Sequence, residues 1–496
     1  SAYKEMPLAV CFPKDSKDLQ ALILFAKSNN LSLIPRTAGT SLAGQVVGSG
    51  IVLDVSKYFT EIIEVDIEQS FVRVQPGVVR NELNKDLQPL GYLFGPITST
   101  ANRAMIGGML GNNSCGQNSL RYGSVRDKLI SVKGFLSDGS EVVFKELSPD
   151  ELSAKLTLES LEGDIYRELY SILSEYKSEI VEAYPYPEIH RRNTGYCLDL
   201  LAEMDPFSDE GKKFNMAKLI AGSEGTLFFA TEICLEIEPL PPKFRALLCP
   251  HFDSIDKALE ANVLTLKYQP MAVELMDRYI LECTAGNRLY KDLRFFVKGD
   301  PDAVLMIELD SDSEEGLKRK IEELTSEFKG LGLCNQISLV EQEDIAKVWA
   351  LRSAGLGLLS NVPGDAKAVP VIEDTCVRVE DLPQYIKEFN QILDEHNLYC
   401  VHYAHAGSGE LHLRPIIDLK TSVGHAQFRA IAEDIVDLLK KYRGSLSGEH
   451  GDGRLRGEFI EAMLGPEVYQ LLERVKKVFD PQGVRNGLGT TSSGAV

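Results

Sequence analysis

Between residues 105 and 124 the chain reads MIGGMLGNNSCGQNSLRYGS, with five glycines and three asparagines in twenty residues. A segment so poor in bulky apolar side chains is no ordinary core strand. Its glycines suit a backbone lying close against a flat polar ligand. Two further turns of this kind fall in the same half. PRTAGTSLAGQ (35–45) follows a strand-like run and mixes glycine with threonine and serine, and AGSEGTL (221–227) is the other. Such turns can aim backbone N–H groups and hydroxyls at a diphosphate. Each alone reads equally well as an ordinary turn; three in one half argue more strongly for a ligand-binding domain. No GxGxxG follows a strand and no Walker loop occurs, so a nicotinamide-type Rossmann half has no support.

A chain of 496 residues exceeds one hydrophobic core, so two or three domains are expected. DLQALILFAKSNN (18–30) has apolar residues at helical spacing, and LSLIPR, GIVLDV and FVRVQPGV read as strands. LISVKGFLSDGSEVVF reads as a hairpin around Asp138–Gly139. Residues 176–216, with EAYPYPEIHRRNTGYCLDLL inside, are polar and irregular and read as an excursion. Prolines at 239–242 mark a boundary. Beyond it RALLCPHF, SIDKALEANVLTLKY, AVLMIELD and SEEGLKRKIEELTSEFKG alternate as strand, helix, strand, helix. The expected fold class is α+β, the second part an antiparallel sheet covered by helices. The expected division is 1–241, 242–445 and a C-terminal segment 446–496.

The net charge of −20 argues against nucleic acid and against an anionic membrane surface, though not against a small anionic substrate in a local cationic pocket. Nine cysteines without a CxxC pair read as reduced thiols in a cytoplasmic protein. No apolar run approaches the ~18–20 residues of a membrane span, and no signal peptide is legible.

HYAHAGSGELHLR (402–414) holds three of the eight histidines. On one helix His405 and His412 would stand roughly 10 Å apart, too far to share an ion with ~2 Å bonds. AGSGE reads instead as a turn into a strand, which puts Glu410, His412 and Arg414 on one face. SGEHGDGRLRGEF (447–459) adds Glu449 beside His450. A lone histidine is more often a satisfied core or surface residue. Two imidazoles and a carboxylate framed by glycines, however, suit Zn²⁺, Mn²⁺ or Fe²⁺.

The set PRTAGTSLAGQ, VQPGV, MIGGMLGNNSCGQNSLRYG and GSEGTL, continued by HAGSGELHLRP, SGEHGDGRLR and FDPQGVRNG, resembles the FAD-linked oxidase family. The likeness is to members with the vanillyl-alcohol-oxidase, or PCMH-type, FAD domain, in order over nearly the whole chain. Within it the chain is similar to D-2-hydroxyacid dehydrogenases, the class acting on D-lactate, D-2-hydroxyglutarate and glycolate. The resemblance implies a two-part PCMH-type FAD-binding domain and an α+β substrate domain. Arg36, Thr37, Ala38, Gly39, Thr40, Ser41 and Leu42 would form the pyrophosphate loop. Gln45, Pro76, Gly77, Gly108, Asn112, Asn113, Gly116, Tyr122, Glu224 and Asn486 would lie along the FAD. The loop lacks a histidine or cysteine at the covalent-attachment position, so the FAD is expected to be non-covalent. Phe228 stands where the family often has glycine, and NGLG where it has NPGK.

The same resemblance assigns His405, His412 and Glu449 to a divalent metal, zinc first, and leaves His402 just behind them. His450 is the expected base, with orientation of Glu449 or the flavin as its alternative role. Arg352 in VWALRSAG, Lys367 in GDAKAVPVIED and Arg414 would hold a substrate carboxylate, and each also reads as an ordinary ion pair. Leu356 replaces a family threonine, and Arg414 a family asparagine. The implied reaction is oxidation of a D-2-hydroxy acid to the 2-oxo acid, with FAD as hydride acceptor and the metal acidifying the hydroxyl. Electrons would leave to a quinone, a cytochrome or an iron–sulfur partner. Longer family members carry an iron–sulfur module, and this chain has no cysteine cluster, so such a module would lie on another subunit or a longer form of the chain. A homodimer stays open. Two other readings are an electron-transfer subunit of a larger iron–sulfur oxidoreductase and an FAD-linked oxidase without metal.

Overall fold

The computed structural model describes residues 3–334, 336–359 and 363–484. Among these residues the strands form four sheets. Near the N-terminus, Ile51–Asp54 runs parallel between Ala9–Cys11 and Leu33–Arg36. Helix Ser16–Ser28 covers this sheet with Leu19, Ile23 and Ala26, one stripe at helical spacing. Asp15 caps it by accepting from the backbone N–H groups of Lys17 and Asp18. A five-stranded antiparallel sheet follows, in the order Ile62–Asp66, Phe71–Val74, Phe229–Glu236, Leu129–Phe135, Glu141–Phe144. Its last two strands are the hairpin read around Asp138–Gly139, and Gly139 takes the left-handed φ of 85° that the turn requires. A two-stranded pairing joins Tyr92–Leu93 to Glu238–Pro239.

The segment 176–216 is not an excursion. After helices Leu161–Glu175 and Lys177–Ala183, residues Arg191, Asn193 and Thr194 dive to the interior and are buried. The polar composition that suggested a surface insertion is the composition of a buried hydrogen-bonding strap.

The second half is built on an eight-stranded sheet. Its inner strand Ala303–Ser311 is buried along nearly its whole length because helices cover both faces. Leu305, Ile307 and Leu309 join one core with helices Ile255–Thr265, Glu314–Gly330, Leu382–Glu395 and Ser422–Lys441. Val304 and Met306 join the other with helices Arg278–Ala285 and Asp344–Leu359. This two-sided burial makes AVLMIELD a continuous apolar run rather than an alternating one. Finally, helix Ile460–Phe479 returns to the first half. Its Leu464, Leu472, Val475 and Phe479 share a core with Leu169 and Ile172. Among the described residues no helix is long and apolar enough to cross a membrane, and all nine cysteines are free.

Candidate active site

A cleft of about 1030 Å³ runs from the glycine-rich loops of the first half to the histidines of the second. That volume is at the upper end for a small-molecule site and suits a dinucleotide with a substrate beside it. Arg36, Thr37, Ala38, Gly39, Thr40, Ser41, Leu42, Gln45, Pro76, Gly108, Asn112, Gly116 and Glu224 line it. So do Arg352, His405, His412, Arg414, Glu449 and His450.

The loops at the first end fit the FAD expected there. Gly39 sits at φ 67°, so the turn after Leu33–Arg36 needs glycine. A Cβ on Gly116 would stand 2.2 Å from the Ile97 carbonyl, so that backbone can approach its neighbour only without a side chain. Asn112 Oδ1 and Gln45 Oε1 are buried without a hydrogen-bond partner among the described residues, two polar atoms left for a ligand or water. Their amide nitrogens face the other way. Asn112 Nδ2 donates to the Glu449 carbonyl (2.7 Å), and Gln45 Nε2 donates to the His450 carbonyl (2.8 Å) and to Glu224 Oε1 (2.9 Å). The glycine-rich loops thus grip the backbone that carries Glu449 and His450.

At the second end, strands Cys400–Ala404 and Glu410–Ile417 pair antiparallel around the short turn Ala406–Ser408. Gly409 closes that turn at φ 75°, where a Cβ would meet the Val377 carbonyl at 2.0 Å. The turn brings His405 back over His412, their ring centroids 5.2 Å apart. Both face Glu449: His405 Nε2 lies 3.6 Å from Oε2 and His412 Nε2 lies 3.2 Å from Oε1. The far nitrogens are also engaged. His405 Nδ1 is 2.7 Å from Glu274 Oε1, and His412 Nδ1 is 3.3 Å from the Glu373 carbonyl. A carbonyl only accepts, so His412 Nδ1 carries a proton, and Nε2 is the ring nitrogen directed at Glu449. His450 stacks on His412 at 5.2 Å and lies 3.1 Å from Glu449 Oε1. Ligand atoms of His405, Glu410, His412 and Glu449 lie within 4.8 Å of one another, a donor set that fits a divalent cation.

Five carboxylates are buried around this centre, and four guanidinium groups face them. Arg352 meets Glu274 (Nε to Oε2, 2.9 Å), Arg414 meets Glu373, and Arg456 meets Asp374. Arg191 bridges Glu410 (2.8 Å) and Glu449 (3.3 Å), and donates to the Gly116 carbonyl and to Ser119 Oγ. Burial pushes Glu274 up, but Arg352 and His405 hold it down at about 2. Burial likewise opposes ionisation of Asp374, and Arg456, His450 and two backbone N–H groups hold it at about 2. Burial also pushes Glu449 up, and His405, His412 and His450 bring it well below the carboxylate range. For Glu410 burial prevails over Arg191, and its carboxyl is raised. Burial would lower His450, but Asp374, Glu373 and Glu449 lift it to about 10.

Some expected site residues lie elsewhere. Gly77 serves a turn, its N–H donating to the Phe59 carbonyl (2.7 Å). Asn113 is held inside, bonded to Asn193 (2.8 Å) and to the Arg126 N–H (2.8 Å). Tyr122 packs its ring on Gly95. Lys367 sits in strand Lys367–Ala368, opposite Ile417, and does not line the cleft. His402 is not behind the ligands: its ring packs against Phe389 and its Nε2 meets Asn390 Oδ1 (2.9 Å), because neighbouring strand residues face opposite ways. Asn486 and the Leu356 side chain lie outside the described residues. Glu274, Asp374, Arg191 and Arg456 were not anticipated. Only the adjacent acids of VIED and the paired arginines of IHRRNTGY hinted at them.

The family described as FAD binding domain matches residues 7–145, and FAD linked oxidases, C-terminal domain, matches residues 241–487. D-2-hydroxyglutarate dehydrogenase of Escherichia coli (strain K12) is 33% identical over 500 residues, 98% of this chain. The chain spans only 48% of that relative's length. D-lactate dehydrogenase of Archaeoglobus fulgidus is 24% identical over 477 residues, covering 96% of this chain and 89% of the relative. Among solved structures, p-cresol methylhydroxylase with substrate bound superposes with a TM-score of 0.66 at 13% identity, covering 98% of this chain and 90% of that one. The PCMH-type fold, the glycine-lined cleft and the two matching domains agree: the chain belongs to the FAD linked oxidases.

Proposed function

We propose that the chain oxidises a D-2-hydroxy acid of the D-lactate or D-2-hydroxyglutarate class with FAD and a divalent cation, zinc first. One observation carries the reading. Two imidazole nitrogens, each with its partner nitrogen engaged, face the oxygens of one carboxylate at 3.2 and 3.6 Å. With their partner nitrogens engaged, both rings can turn an Nε2 lone pair to a cation seated between them and the carboxylate.

His405, His412 and Glu449 would hold the cation, which supplies Lewis acidity toward a substrate hydroxyl. FAD, when bound along the glycine-rich loops, supplies the two-electron acceptor. Arg352 and Arg414 would orient the substrate carboxylate. His450 would take the hydroxyl proton. Reoxidation would fall to a quinone, a cytochrome or an iron–sulfur partner.

The test is anaerobic bleaching of the oxidised flavin by D- and L-lactate, D-2-hydroxyglutarate and glycolate, before and after EDTA. Bleaching by one D-acid, lost with EDTA and restored by a divalent metal, is the expected result. No bleaching by any of them in metal-replete protein would refute the reading. A base must be unprotonated, and the acids around His450 hold its proton up to about pH 10. A cation on Glu449 removes part of that pull, while Glu373 and Asp374 keep theirs. Therefore kcat/KM is expected to climb with pH through an apparent pKa above the ordinary imidazole value of ~6.5. His450→Ala should abolish that limb and slow flavin reduction by about a hundredfold.

A further inference from the structure

Strand Cys400–Ala404 brings one more side chain to the cleft. Tyr403 stands directly opposite His412 in the strand register and lines the cavity. Its ring is wedged between two groups already placed at the site. The His412 ring centroid is 5.2 Å away, and the Arg352 guanidinium lies over the ring at 5.2 Å. The residue is only 2% exposed. Yet its phenol oxygen makes no hydrogen bond with any described residue, and it is not among the sealed, unpartnered atoms, as the hydroxyls of Tyr122 and Tyr166 are. What accessibility the residue keeps is toward the cleft.

A hydroxyl so placed needs a partner that arrives with the ligand. Arg352 is already neutralised by Glu274, so beside it a carboxylate gains little from net charge and more from directed donors. A phenol ordinarily keeps its proton until ~pH 10, so the hydroxyl is a donor at physiological pH.

Resting on the substrate class proposed above, we propose that Tyr403 is a substrate-binding residue whose O–H donates to the carboxylate of the bound 2-hydroxy acid, next to Arg352. Tyr403→Phe keeps the ring on both neighbours and removes only the hydroxyl. In the FAD- and metal-loaded protein two quantities are read. One is oxalate binding, from the flavin absorbance change at concentrations that leave metal content intact; the other is KM for the D-2-hydroxy acid. Both constants are expected to rise about tenfold or more, with kcat changed much less and FAD and metal content unchanged. Fluorotyrosine at 403, a stronger donor of the same shape, should tighten oxalate binding.

Constants within twofold of wild type in Tyr403→Phe would overturn the proposal. Loss of FAD or metal from that variant would too, since the hydroxyl would then be structural. If wild type binds oxalate but no hydroxy acid bleaches its flavin, the proposed reaction fails while the oxalate constants still decide on Tyr403. Wild type that binds neither oxalate nor a hydroxy acid overturns both.

Discussion

Glu449→Gln is expected to lose the cation and to slow substrate-driven flavin reduction by about a thousandfold, while the protein keeps its FAD. Glutamine has the volume of glutamate but no charge, and its amide nitrogen would turn a donor toward imidazoles that can act as ligands only with their lone pairs. The FAD end should be spared, because Asn112 and Asn193 hold the backbone carbonyl of residue 449, which the substitution leaves in place. Arg191 would keep its stronger partner, Glu410. Three readouts separate the outcomes: metal by mass spectrometry, bound flavin after gel filtration, and reduction by rapid mixing. A variant with full metal and a near-normal rate would remove Glu449 from the ligand set. A variant that drops both metal and flavin would show a structural role.

The elements of this fold were legible where local rules decide them. The hairpin at Asp138–Gly139, the helix read at 18–30, which forms at Ser16–Ser28, and the alternation beyond 243 follow from turn residues and periodicity. The second-half cluster was legible too, because two strands and one turn bring His405 to His412. Its supports were not. Glu274 is 131 residues from His405, and Arg191 is 219 from Glu410 and 258 from Glu449. No spacing rule spans such separations; only packing of the sheet and of the strap at 191–194 brings them together. One part was within reach. The strand alternation that groups Glu410, His412 and Arg414 also sets His402 against Tyr403, and it would have turned His402 away from the ligands.

Asp374 is the support whose loss should cost most in stability. Wholly buried, it accepts from the backbone N–H groups of Glu449 (3.0 Å) and His450 (2.7 Å) and from Ser447 Oγ (2.9 Å), and it pairs with the buried Arg456. One carboxylate therefore sets the loop that carries a candidate ligand and the candidate base. Asp374→Asn would leave Arg456 buried without its counter-charge and turn an amide N–H₂ toward other donors. Breaking a buried pair in this way is expected to destabilise the protein by about 3–5 kcal/mol, read as a lower urea midpoint at neutral pH. The variant should also hold its metal less tightly. Its pH dependence supplies a second check. The Asp374 carboxyl sits at about 2 in the fold, below its ordinary 3.8. A depressed pKa stabilises the fold above the ordinary value, and that contribution, about 2 kcal/mol, disappears as the pH falls from about 4 through about 2. The stability gap between wild type and variant should therefore narrow over that interval. A gap that stayed constant down to pH 2 would mean that the charge of Asp374 contributes nothing, and that the loop is held by the shape of its hydrogen bonds alone.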